Sequence, residues 1–141
     1  MPRFTIDPVP KPRMTQSDKW QQRPAVMRYW AFKDELQRQA VLTGFELGEC
    51  FMVIFYIPIP QSWSKVKKQM MIGQPHKPTP DSDNLIKSVK DCLLPDGDSA
   101  VWFEVAAKFW ALDGTIEIVN LEPYEAHYIL VRKDVTKIGA I

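Results

Sequence analysis

The apolar run from Glu49 to Ile57, closed by Gly48 before it and Pro58 after it, constrains the fold of this chain most. Its Val, Ile, Phe and Tyr residues fit a pleated strand, and the lack of alternation predicts burial on both faces. Such a strand belongs near the middle of a sheet. Phe4 to Val9 reads as a short first strand, confined to an edge or an end by Pro8 and Pro10. A helix is expected from Pro24 to Leu42, with Tyr29, Phe32, Leu36 and Ala40 along one face and Gly44 as its stop.

Downstream, Ser62 is a candidate cap for a short helix from Trp63 to Met71, and three prolines make residues 73–80 a loop. Leu85, Val89, Cys92 and Leu93 repeat at helical spacing, beginning from a cap at Asp81 or Asp83 and ending at Pro95 and Gly97. Val101 to Leu112 and Thr115 to Val119 have strand composition, and Asp113-Gly114 between them predicts an antiparallel hairpin. The order strand, helix, strand, helix, helix, strand, strand predicts an α/β (α+β) fold with a single mixed sheet of about four strands. One domain is expected over residues 1–141, with its core at about 4–120. The tail, residues 121–141, shows no trusted pattern.

Cys50 and Cys92 lack metal spacing and read as buried thiols, which suits a reducing cytoplasm. The amino-terminal segment has no apolar leader core, and the longest apolar run stops at Pro58, so neither secretion nor a membrane span is expected. Among the aromatics, Trp30, Trp102 and Trp110 are expected in the core, and His76 and His127 in loops or at the surface.

Charge is polarised along the chain. Residues 1–77 carry twelve Lys and Arg against six Asp and Glu, and residues 78–141 carry six against eleven. A region that grips phosphates beside one that holds cations suits a metal-dependent nuclease, although scattered surface charge gives the same totals. The candidate phosphate-gripping residues are Lys11, Arg13, Lys19, Arg23 and Arg28 in the first basic segment, and Lys65, Lys67, Lys68 and Lys77 in the second. Trp20 or Trp63 could stack on exposed bases.

The acidic half holds Asp81, Asp83, Asn84 and Lys87 at a helix start, followed by Asp98 in a Pro-Asp-Gly-Asp turn. Two carboxylates at i and i+2, joined by a third, offer hard oxygens that suit magnesium, with manganese able to substitute. Lys87 stands one helical turn above Asp83 on the same face, where it can contact a scissile phosphate, whereas Lys90 reads as a solvated helix residue. Asn84 can hold a carboxylate or a metal-bound water. Helix capping for the first pair and a solvated turn for Asp96 and Asp98 are the competing readings. The glycine and glutamate of an EF-hand loop are missing, and no glycine-rich phosphate loop or paired nucleophile and base supports a nucleotide cofactor or covalent catalysis.

Asp-x-Asp-Asn-Leu-x-Lys at a helix start, then about ten helical residues and an acidic turn opening a strand, resembles the RusA family of Holliday-junction resolvases of phages and prophages. Pro8 to Arg13 resembles the basic segment that follows the family's first strand, and the likeness runs from about residue 4 to 120. It implies a homodimeric, magnesium-dependent crossover junction endodeoxyribonuclease that makes paired symmetric incisions in four-way DNA during recombination, repair or phage replication, in the bacterial host cytoplasm. Asp81, Asp83 and Asp98 would be its essential carboxylates and metal ligands, and Lys87 its essential cation. The family often has adjacent acids where this chain has Gly97-Asp98, so the resemblance leaves the role of Asp96 open. The competing functions are a non-catalytic junction-binding protein and a metal nuclease acting on flaps or other substrates.

Overall fold

A computed structural model describes residues 2–13 and 23–139, the last eight as backbone alone. Four strands, β1 (Arg3–Thr5), β2 (Cys50–Pro58), β3 (Phe103–Ala111) and β4 (Thr115–Asn120), form one sheet in the order β1-β4-β2-β3. Among the described residues four helices accompany it: α1 (Pro24–Thr43), α2 (Lys65–Met71), α3 (Ser82–Leu93) and α4 (Pro123–Gly139). The mixed α+β architecture agrees with the pattern of elements. β2 is central, parallel to β3 and antiparallel to β4.

α1 begins with proline at its first turn and ends at Gly44, whose φ of 68° is the left-handed conformation a glycine accepts without cost. Val26, Tyr29, Phe32, Leu36 and Ala40 form its buried stripe. Leu85, Val89 and Cys92 of α3 close against that stripe and against Phe51, Val53, Phe55, Ile116 and Ile118 of the sheet. Each large apolar side chain withdrawn from water here stabilises the fold by roughly 1.5–3 kcal/mol. α3 is therefore rigidly seated from below, which leaves its outer face to carry charges.

Several expectations are corrected. β3 and β4 do not pair as a hairpin, because the more apolar β2 takes the place between them and the chain at 112–114 crosses its end. Gly114 is required there by space, since a Cβ would stand 2.6 Å from the Asp7 Cα. The two faces of β2 differ: Phe51, Val53 and Phe55 toward α1 and α3 are buried, but Met52, Ile54 and Tyr56 on the other face are half-buried. Ser64 rather than Ser62 caps α2, accepting from the Lys67 N–H at 3.2 Å. The tail is helical as α4, where the fully buried Ala126 touches the body while Tyr124, Tyr128 and Val131 stay exposed. So weakly anchored an apolar stripe leaves little periodicity to read.

Trp110 is buried, but Trp30 and Trp102 are each more than 40% exposed and lie outside the core. His76, expected in a loop or at the surface, lies in the loop after α2 but is 4% exposed and packs against Trp110 at 4.3 Å between ring centroids. Cys50 and Cys92 are buried free thiols as expected, and burial pushes the Cys92 thiol up to about 12.

Candidate nuclease site

At 100° per residue, the buried side chains of α3 define one face, and Asp83, Lys87 and Lys90 fall on the opposite one. Asn84 and Asp91 lie on the flank between. Asp81 occupies the cap position in an extended conformation, yet its side chain makes no cap hydrogen bond, so the capping reading does not account for it. Asp81 and Asp83 are both exposed. The Lys87 Nζ stands 4.0 Å from Asp83 Oδ2, the register expected one turn apart, with both side chains at least 60% exposed. Such a pair is solvent-screened and contributes a few tenths of a kcal/mol at most to stability.

Asp98 stands apart from this pair. Its carboxylate lies 3.5 Å from Lys90 Nζ, and Lys90 also reaches Glu104 of β3 at 3.1 Å. Lys90 is seven residues beyond Asp83, two turns or about 10 Å along the helix axis. Among the described residues, no three His, Cys, Asp or Glu side chains come close enough to share an ion. Lys90 is also corrected from a solvated residue to one only 16% exposed and doubly paired. Carboxylate oxygens at Asp81 and Asp83 remain a donor set of the hard kind that magnesium and manganese take. Asp96 is exposed at the turn, beside Gly97 with φ 120°.

The basic segment meets α3 at its first turn. Lys11 N–H donates to the Asn84 carbonyl at 3.3 Å, and Lys11 Nζ pairs with Asp91 Oδ2 at 2.5 Å. Tyr29 OH donates to the same Asp91 oxygen at 3.0 Å. Burial by itself would raise the Asp91 carboxyl, but the bonds from Lys11 and Tyr29 and the Lys11 and Lys33 charges hold it below its ordinary value. Lys11, expected on DNA, is thus partly spent as an anchor. Lys11, Pro12, Arg13, Asn84 and Lys87 together line an open groove of about 590 Å³ beside Asp83.

Of the other candidate DNA contacts, Arg13, Arg28, Lys65, Lys67 and Lys77 are exposed and Lys68 is half-buried. Arg23 NH2 donates to the Arg13 carbonyl at 2.8 Å. Lys67 lies over the Trp63 ring at 4.1 Å, and Trp63 packs on Trp110, so that indole is already engaged. Lys19 and Trp20 fall outside the described residues.

Asp91, Glu104 and Lys108 shape this region without having been picked out by sequence, and Tyr29 and Lys90 do so beyond the core and solvated places that spacing gave them. Asp91 carried a usable signal, seven residues after Asn84 and so on its face. Lys108 was another, the lone charge in β3 between Val105 and Ala111.

Two exposed carboxylates at the start of α3, a lysine one turn above and a basic groove alongside lie on one side of an α+β sheet. The family model for Endodeoxyribonuclease RusA matches residues 5–119, most of the chain, and the chain belongs to that family of junction-resolving endonucleases. No curated protein and no solved structure matches it.

Proposed function

We propose that this chain is a magnesium-dependent endonuclease that resolves four-way DNA junctions by paired incisions, with Asp81, Asp83 and Asp98 as metal ligands and Lys87 as the cation at the scissile phosphate. The observation that carries this reading is the seam between Lys11 and Asn84, which sets the basic segment and its groove against the acidic start of α3. Magnesium is commonly held by one or two protein carboxylates together with substrate phosphates and water, so Asp81 and Asp83 suffice as the protein's first hold. Bound there, it would activate a water and offset charge building on the phosphate. Asp98 would join only by leaving Lys90 and moving with its turn toward Asp81 and Asp83. Lys87 and Arg13 would grip the phosphate from the groove, and Asn84 would orient a carboxylate or water. Arg23, Arg28, Lys65, Lys67, Lys68 and Lys77 would follow the DNA backbone.

A homodimer is part of the proposal, because two symmetric cuts in a nearly twofold junction call for two sites. Its support is the sheet face turned away from α1 and α3, with Met52, Ile54, Tyr56, Val105, Phe109 and Val119 in register across three strands. No helix among the described residues is long and apolar enough to cross a membrane, and the host cytoplasm is the proposed place of action.

The test is Asp83→Asn on a synthetic four-way junction with magnesium. Cleavage is expected to fall at least about a hundredfold with junction affinity kept, and an unchanged rate removes Asp83 from the site. Equal wild-type rates on junction, flap and linear duplex would refute junction selectivity. A wild type that binds the junction without cutting it would make the chain a binding protein.

A further inference from the structure

We propose that Lys108 is a positioning residue for the acidic site, fixing the peptide that leads into Asp81. This rests on the reading of Asp81 and Asp83 as metal ligands. β3 is an edge strand of the sheet, and residues 73–76 run along it: Gly73 N–H donates to the Trp110 carbonyl at 2.9 Å, Trp110 N–H to the Gln74 carbonyl at 2.9 Å, and His76 N–H to the Lys108 carbonyl at 3.0 Å. Beyond His76 the ladder stops, and Pro78 and Pro80 have no N–H with which to continue it. Lys108 takes over at that point. Its ammonium donates to the Pro78 carbonyl at 3.0 Å and to the Pro80 carbonyl at 2.8 Å. The Pro80 carbonyl belongs to the peptide group ending at the Asp81 nitrogen, so this bond sets the plane from which Asp81 starts.

The strand register explains why a lysine stands there. Alternation along β3 puts Glu104, Ala106, Lys108 and Trp110 on the face toward the helices, opposite Phe55 in the case of Lys108. An unpaired ammonium on this face would be costly, and the two carbonyls offset that. Glu104 and Lys108 together hold α3 from both ends, Glu104 through Lys90 at its last turn and Lys108 through the residues before its first. The carboxylates thereby take their place from the central sheet rather than from a free loop.

The experiment titrates manganese into DNA-free protein, following the paramagnetic resonance of the free ion, for wild type, Lys108→Met, Lys108→Arg and Asp83→Asn, with melting curves for each. Outer partners of a metal ligand typically change affinity about 10–100-fold. Lys108→Met is therefore expected to weaken manganese binding about tenfold or more, with Lys108→Arg within about threefold of wild type and melting midpoints little changed. Wild-type affinity in Lys108→Met, with Asp83→Asn impaired, overturns the positioning role alone. Wild-type affinity in Asp83→Asn, or no binding by the wild type, overturns the site reading and the positioning role with it. Failure of both Lys108→Met and Lys108→Arg to fold also overturns the proposal, because the lysine would then support the sheet.

Discussion

Asp91→Leu removes the acceptor on which Tyr29 and Lys11 converge, and its cost can be worked from their surroundings. Tyr29 is 3% exposed, so its hydroxyl cannot exchange Asp91 for bulk water, and loss of a hydrogen bond to a charged group costs about 1.5–2 kcal/mol. The Lys11 and Asp91 side chains are 37% and 35% exposed, and with that much solvent screening their pairing contributes only about 0.5 kcal/mol. The variant should therefore lose about 2–2.5 kcal/mol, which for a chain of this size lowers the melting midpoint by roughly 6–9 °C. Asp91→Asn keeps an oxygen for Tyr29 and should lose about half as much. Because the Asp91 carboxyl is held below its ordinary value, its contribution is fully present above the unfolded pKa of about 4 and is lost as pH falls through the lower folded value. The gap between wild type and Asp91→Asn should accordingly close in strong acid. Thermal melts of the two variants and a double-mutant cycle with Lys11→Met give the measurement. An Asp91→Leu midpoint within about 1 °C of wild type would refute the reasoning, and a coupling of zero would remove Lys11 from it.

His76 supplies a second pH signature. Burial and then the Lys108 charge push its pKa down, so the folded state resists protonation. Its contribution should be complete above about pH 6.5 and fade as pH falls below that; His76→Phe, which keeps a ring against Trp110, should flatten the decline in melting midpoint between about pH 7 and 5, and an unchanged slope refutes the assignment. Replacing Lys67 and Lys68 by alanine should weaken junction binding and lower the slope of log affinity against log salt by about 1–2, an unaltered slope placing them off the DNA. Ile54→Asp puts a charge in the sheet face turned away from α1 and α3, and sedimentation should show it monomeric against the dimer proposed for the wild type; a dimer of unchanged strength would move the interface elsewhere.

The local signals of this chain were legible without coordinates. The stripe of α1, the Gly44 stop, the apolar β2 and the helix start at Asp81 to Lys87 follow from spacing and backbone chemistry, which act over a few residues. So did the one-turn register of Lys87 over Asp83. Contacts distant in sequence were not legible, because the partner of a charge is chosen by how the elements stack. Lys90 and Lys87 look alike on one helix, yet Glu104 and Asp98 rise beside the first, leaving the second exposed above Asp83. The Asp113-Gly114 pair reads as a hairpin, but β2 competes for the middle place and sends β3 and β4 to its two sides. By itself the sequence determined where carboxylates and a lysine stand at the start of α3. The tertiary structure alone decided that Lys11 is pinned to α3 by Asp91, that Asp98 rests on Lys90, and that Lys108 reaches the carbonyls before Asp81, since each depends on a distance set by the sheet.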